Sequence, residues 1–187
     1  MHHFKKLVPV FVILAAFAVL VTGVGFLRPK EHVARCQVVL RKPVEEVWPL
    51  VGDLTTWPGW LEAYDGMRRA PKRNDHDTFL AHGSWGDVAI EIERSVPPYE
   101  LVTFLTAKGF SGRWSTELEI VPAGTQITIT EYGEVSNPFL RGLMLLMDEH
   151  GSMKDFLRDL AAKLEVKGEP EEKGLTLEQY QVELTRK

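Results

Sequence analysis

Three spacings of hydrophobic residues follow one another along the chain, and each predicts a different kind of element. The stretch from Leu7 to Leu27 contains no charged residue, so a helix there would be apolar on every face. From about Ala63 to Gly133, apolar and polar residues alternate, as in antiparallel strands with one face towards water. From Asn137 to about Glu165, apolar residues recur at helical spacing and form one continuous stripe.

The first stretch predicts a membrane anchor over residues 1–31. Its roughly 21 residues would form about 31 Å of helix, enough to cross a hydrocarbon core of ~30 Å. Lys5 and Lys6 precede it, and Arg28 and Lys30 follow it, as expected at the two headgroup regions. A cleaved signal peptide is the alternative, but its apolar core is usually only about 7–15 residues long. The short basic tail favours a single-pass protein whose soluble domain is extracytoplasmic.

The pattern that follows the anchor predicts one α+β domain over residues 32–166. A strand from His32 to Leu40 leads into a helix that opens at Pro43, since proline is tolerated in a first helical turn. About six further strands follow, separated by glycine and proline turn signals. This order of elements predicts an antiparallel meander.

The C-terminal part of the chain predicts two helices. Asn137 and Pro138 supply an N-cap and a first helical residue for a long closing helix, which must lie on the inner face of the sheet. Residues 167–187 form a polar linker and a short amphipathic segment. Thr176 and Gln179 fit a capping box at the start of that segment.

Two segments resemble a known superfamily. The run VVLRKPVEEVWPLVGDLTTWPGW (residues 38–60) resembles the opening of START-like, polyketide cyclase/dehydrase-like proteins, and RWSTELEIVPAGTQITITEYGEV (residues 113–135) resembles their final hairpin. The positions that match the opening motif are Pro43, Val47, Trp48, Asp53, Trp57 and Trp60. This resemblance implies a helix-grip fold. In it, a curved antiparallel sheet of about seven strands surrounds a long C-terminal helix, with a cavity for an apolar ligand between them.

Composition and charge exclude several classes of function. The net charge is -4 and no segment is strongly basic, so a nucleic-acid partner is not expected. Cys36 is the only cysteine, which rules out an internal disulfide and a cysteine-based zinc site. The histidines lack metal-ligand spacing, and there is neither a phosphate-binding loop nor a nucleophile motif. We therefore expect no metal and no cofactor, and we assign no catalytic residue.

Two polar residues stand at positions where the pattern predicts contact with a cavity. His150 interrupts the apolar stripe of the closing helix, and Glu131 shares the strand parity of Ile127 and Ile129. If both face the cavity, they could act as an acid/base pair. Eight other side chains are candidates for lining it: Trp60, Trp85, Phe104, Trp114, Tyr132, Phe139, Met144 and Met147. Side chains of these types are more often part of an ordinary core, so core packing is the favoured explanation for each of them.

Three functions compete on this evidence. The favoured one is a membrane-tethered module that binds or transfers a lipid, quinone or similar apolar molecule, since a tether keeps the pocket close to ligands in the bilayer. The second is a cyclase/dehydrase-like enzyme that uses His150 and possibly Glu131. The third is an interaction protein with a filled core. The sequence names neither a ligand nor a protein partner.

Overall fold

We describe the fold from a computed structural model of the chain, which describes residues 4–83 and 86–186, with side chains from Phe11 to Thr185. The helices are α1 (Phe4–Leu27), α2 (Val44–Gly52), α3 (Pro138–Leu143), α4 (Gly151–Lys163) and α5 (Leu177–Arg186), with 3₁₀ turns at Leu54–Gly59 and Met144–Leu146. The strands are β1 (Glu31–Leu40), β2 (Tyr64–Arg73), β3 (His76–Gly83), β4 (Gly86–Val96), β5 (Glu100–Ala107), β6 (Phe110–Val121), β7 (Gly124–Val135) and β8 (Glu171–Lys173).

Among the described residues the strands form one sheet of eight, in the order β2-β3-β4-β5-β6-β7-β1-β8. Strands β2 to β7 are neighbours in both sequence and space, which confirms the predicted antiparallel meander. The predicted number of about seven strands was one short. The extra strand, β8, comes from the segment that we expected to be only a linker, and it pairs with β1 at the edge of the sheet.

The core lies on one face of this sheet, which we call the inner face. Directly paired residues share a face, so the row Val38, Ile127 and Leu118 crosses three strands, and all three side chains are buried. Helix α4 packs on this face through Met153 and Leu157, which are completely buried. The period-two pattern of the strands and the apolar stripe of α4 thus meet in one hydrophobic core.

The prediction of one long closing helix was wrong, because the chain leaves helical geometry between α3 and α4. Met147 is extended, with φ -111° and ψ 151°. The Asp148 carboxylate accepts a hydrogen bond from the His150 amide at 2.9 Å, and this local turn competes with continued helix. Asn137 does cap α3 as predicted, accepting from the Phe139 amide at 2.9 Å. The apolar stripe is therefore divided between two helices that pack on different partners.

Helix α3 packs on α1 rather than on the sheet. A Cβ atom added at Gly25 would lie 1.6 Å from the Pro138 carbonyl oxygen, and one added at Gly142 would lie 2.0 Å from the Val21 carbonyl oxygen. The two backbones can approach so closely only because both positions are glycine. In the part of the chain with described side chains, no helix is both long enough and apolar enough to cross a membrane.

The C-terminal segment docks on the outer face of the sheet. Thr176 and Gln179 form the predicted capping box, with reciprocal hydrogen bonds of 2.9 and 3.2 Å. Tyr180 of α5 is buried and stacks on Tyr132, with ring centroids 5.5 Å apart. Arg35 of β1 binds the Glu183 carboxylate with both of its terminal nitrogens.

Candidate functional site

The inner face of the sheet has a covered part and a more open part. Helix α4 covers the first, where Phe156 makes edge-on contacts with the rings of Trp57, Trp60 and Trp114 at centroid distances of 5.3–5.9 Å. The second part carries apolar side chains that adjoin the core and are only half-buried: Met67, Ile92, Leu105, Ala107 and Trp114. Helix α3, which we expected on the inner face, lies against α1 and does not cover this part.

The open part ends at a buried carboxylate. Trp114 and Glu131 are directly paired on β6 and β7, so both point to the inner face. The indole nitrogen of Trp114 donates to one oxygen of Glu131, and the ring nitrogen Nε2 of His32 lies 3.1 Å from the other. Because a carboxylate only accepts hydrogen bonds, Nε2 is the donor in this pair. Two donors from neighbouring strands thus satisfy a carboxylate that burial would otherwise destabilise.

The His32 ring fits because the adjacent strand carries glycine. His32 is paired with Gly133 on β7, and a Cβ atom at Gly133 would lie 2.2 Å from the His32 ring carbon Cε1. Gly112 lies opposite Gly133 on β6, so neither strand has a side chain at this pair of positions. The His32 side chain is 17% exposed and that of Glu131 is 8% exposed. In the trio of Glu131, His32 and Trp114, only Glu131 is buried, so a molecule on the inner face reaches His32 or Trp114 before it reaches the carboxylate.

The structure does not bring His150 to Glu131. His150 precedes α4, and its ring nitrogen Nδ1 lies 3.8 Å from Asp148 and 3.9 Å from Glu172. Glu131 has His32 as its neighbour instead. The histidine beside Glu131 is therefore His32, and not His150 as in the acid/base pair considered from the sequence.

The other candidates fall in three places. Trp60 and Trp114 lie on the inner side of the sheet against Phe156, whereas Phe104 and Tyr132 have the opposite parity and lie on the outer face. Phe139, Met144 and Met147 belong to the α3 segment, where Phe139 and Met144 are half-buried and Met147 is 43% exposed. Trp85 lies outside the described residues.

Sequence reasoning missed His32, although a signal for it was present. Alternation along β1 places His32 on the same face as Cys36, Val38 and Leu40, which are buried. The same alternation along β7 places Glu131 on the inner face and its neighbour Tyr132 on the outer face. Alternation could thus have placed His32 on the inner face, but it could not have shown that His32 contacts Glu131.

One group of described residues has metal-ligand chemistry, at the junction of α4 and β8. Ligand atoms of Asp148, His150 and Glu172 lie within 4.8 Å of one another. The Lys154 ammonium already lies between the acids, 2.7 Å from Asp148 and 2.5 Å from Glu172. Its hydrogen bonds lower the pKa of both carboxyls, and the backbone amide of His150 adds to the effect at Asp148. This group is therefore an ion-pair network in which the Lys154 ammonium supplies the positive charge.

Comparison with solved structures supports the helix-grip architecture. The Zhui aromatase/cyclase from Streptomyces sp. R1128 is 13% identical, with a TM-score of 0.57 over 72% of this chain and 94% of that one. A START superfamily protein from Mycobacterium smegmatis is 14% identical, with a TM-score of 0.55 over 71% of this chain and 97% of that one. A conserved protein from Geobacillus kaustophilus is 18% identical, with a TM-score of 0.56 over 73% and 99% of the two chains. At such identities the likeness shows the fold alone.

Comparison of sequences identifies the family. No curated protein matches the chain. A family model described as "polyketide cyclase / dehydrase and lipid transport" matches residues 32–165, which is most of the chain and includes both segments that carried the resemblance. The predicted resemblance is confirmed, and the chain belongs to the polyketide cyclase/dehydrase and lipid transport family.

Proposed function

We propose that this protein is a membrane-tethered module that binds or transfers an apolar small molecule with one polar end. The observation that carries the proposal is the open part of the inner face, which is apolar and ends at the buried Glu131 and its half-buried partner His32. Ligand sites of this kind are mostly apolar, with a few polar groups that fix orientation. Lipids and quinones have the matching chemistry.

The polar trio supports a role in orienting the ligand. Both oxygens of Glu131 already accept hydrogen bonds, one from His32 and one from Trp114. The carboxylate therefore holds His32 in place through Nε2. The other ring nitrogen, Nδ1, accepts a hydrogen bond from a ligand hydroxyl, or donates one to a ligand carbonyl when the ring carries both protons. Apolar side chains such as Leu105 and Ile92 contact the rest of the ligand.

The surface of α1 supports the tether. Among its described residues, Phe11, Ile13, Val19 and Leu20 are each at least 65% exposed, an apolar surface that water disfavours. The uncharged run begins at Leu7, ahead of these residues. We propose that α1 holds the domain at a bilayer, where apolar ligands are concentrated. The extracytoplasmic side stays our proposed location for the domain.

The binding proposal is tested by filling the open part of the inner face. We expect Leu105→Trp to weaken binding of two probes, decylubiquinone and a fluorescent phospholipid, by about tenfold, a loss near 1.4 kcal/mol. The full chain is used in detergent, and lipids that co-purify are identified by mass spectrometry. Phe104→Trp is the matched control, because Phe104 is the adjacent half-buried residue on the outer face.

Two results would contradict the binding proposal. One is that neither probe binds and no lipid co-purifies, as expected for an interaction protein with a filled core. The other is equal loss of binding in both variants, which would place the ligand away from the inner face.

The alternative of a cyclase/dehydrase-like enzyme now has its own observation, the His32–Glu131 pair. A histidine that donates to a carboxylate is a common acid/base arrangement. Turnover of a poly-β-ketone substrate that is lost in Glu131→Gln while the probes still bind would favour the enzyme. Equal loss of probe binding in this variant would favour the binding module.

A further inference from the structure

The segment from Pro138 to Met147 is nearly all apolar yet does not enter the hydrophobic core. Its single charged residue is Arg141. Beyond α3, Leu145, Leu146 and Met147 are 49, 73 and 43% exposed. Three consecutive exposed apolar side chains are unfavourable in water, so this surface needs an apolar partner.

The contact between α3 and α1 indicates what that partner is. Pro138 lies against Gly25 and Gly142 lies against Val21, so the two helices run antiparallel. This direction takes the following residues back along α1, away from the basic end at Arg28. Leu145 to Met147 therefore follow directly on a helix that lies along the apolar α1.

The one charge in the segment does not oppose contact with lipid. Arg141 is 7% exposed, and its guanidinium donates to the carbonyl oxygens of Gly25, Val135 and Ser136 at 2.9, 2.8 and 3.1 Å. A charged group held by several hydrogen bonds inside the protein has its cost of burial largely offset.

We propose that the segment from Pro138 to Met147 is a second membrane-binding element, inserted beside α1 at the boundary between headgroups and acyl chains. This inference rests on the proposed tether. The depth follows from the register, since Val21 lies about 9 Å along the helix from Leu27, within the roughly 5–10 Å range of interfacial segments. Two points of attachment hold the domain in one orientation on the bilayer.

This orientation places the open part of the inner face beside lipid. Segment 138–147 begins directly after β7, and Leu140 lies near the Gly109 turn between β5 and β6. These strands carry Ala107 and Trp114 of the open part. An apolar ligand therefore passes from the bilayer to the inner face along α3 without crossing water.

The test measures the depth of spin labels in the full chain reconstituted into phosphatidylcholine vesicles. Leu146→Cys reports on the segment, Phe17→Cys reports on α1, and Leu184→Cys on α5 is the matched exposed control. Cys36 stays unlabelled, since it is fully buried and burial raises its pKa to about 11. We expect the label at Leu146 to be accessible to oxygen and protected from a water-soluble nickel reagent, at a shallower depth than Phe17. Leu184 should be accessible to nickel.

The two proposals fail in different ways in this experiment. A label at Phe17 that is accessible to nickel would overturn the tether itself. A label at Phe17 in lipid together with one at Leu146 in water would overturn only the second element. Spin–spin broadening at Leu146, with low access for both reagents, would show a second copy of the chain on this surface and would also overturn it.

Discussion

At the scale of single residues, small side chains decide how the polar groups of the inner face are arranged. Glu131 can be buried because Trp114 and His32 donate to it, and His32 can reach it because Gly133 leaves space for the ring. The arrangement therefore depends on Gly133, which makes no polar contact itself but has no side chain that would occupy the space of the His32 ring.

Gly133→Ala tests this dependence. The new methyl group would overlap the His32 ring, so we expect a loss of about 1–3 kcal/mol in the free energy of unfolding and displacement of His32 from Glu131. Chemical denaturation measures the first effect, and the NMR signals of the His32 ring measure the second. Gly66→Ala on β2 is the control, since a Cβ atom there meets nothing within 4 Å. Equal effects of the two substitutions would contradict the steric explanation.

At the scale of elements, the break between α3 and α4 determines the shape of the molecule. It lets α4 pack on the sheet while α3 packs on α1. Two sets of contacts keep α4 and α3 on their separate partners: the Lys154 network at the start of α4 and the glycine contacts between α1 and α3. Each set leads to a prediction.

The Lys154 network predicts a pH dependence in the docking of β8. The pKa values of Asp148 and Glu172 are lowered from 3.8 and 4.5, so their contribution is complete above those values and is lost as pH falls through the lowered ones. We expect hydrogen exchange at Glu171–Lys173, corrected for its intrinsic rate, to be faster at pH 3 than at pH 6. Lys154→Met should remove this difference. Equal protection of the wild-type strand at both pH values would contradict the prediction.

The glycine contacts predict a position-specific effect in α1. Gly25→Ala should separate α1 from α3 and lower the thermal midpoint in detergent, because its methyl group would meet the Pro138 carbonyl. The cost should not exceed about 1–2 kcal/mol, the value of the hydrogen bond and packing that join α1 to α3. Gly23→Ala is two residues away and meets nothing within 4 Å, so it should leave the midpoint nearly unchanged or raise it slightly. A similar decrease for both variants would show that the helix contact is not specific.

At the scale of the whole molecule, α1 contacts the domain through α3 and stays outside the hydrophobic core. The buried core cluster draws on the sheet, α2 and α4 and on the 3₁₀ turn after α2, and it includes none of the α1 side chains that the structure describes. Arg141 is the main polar link, through its hydrogen bond to Gly25. The domain should therefore fold without α1.

We expect a fragment of residues 29–187 to fold cooperatively with the same strand content by circular dichroism. Its free energy of unfolding should fall by only about 1–2 kcal/mol, the value of a hydrogen bond and limited packing. Binding to vesicles, measured by sedimentation, should be much weaker than for the full chain. An unfolded fragment would show that α1 belongs to the core of the domain.

Much of the fold could be predicted from the sequence because its signals are local. Alternation along the chain predicts β2 to β7, Asn137 predicts the start of α3, and Thr176 with Gln179 predicts the start of α5. Strand parity also places Glu131 on the inner face, where the structure has it. Periodicity and capping depend on neighbours within a few residues, so one sequence is enough to show them.

Only the tertiary structure decided what these elements contact. The apolar stripe from Asn137 to Glu165 is compatible with one helix, and its division became apparent only with α1 available as a second partner. His32 and Glu131 are 99 positions apart, and no local pattern pairs them. The sequence by itself thus determined the elements and their faces, while long-range packing determined which faces meet and left part of the inner face open.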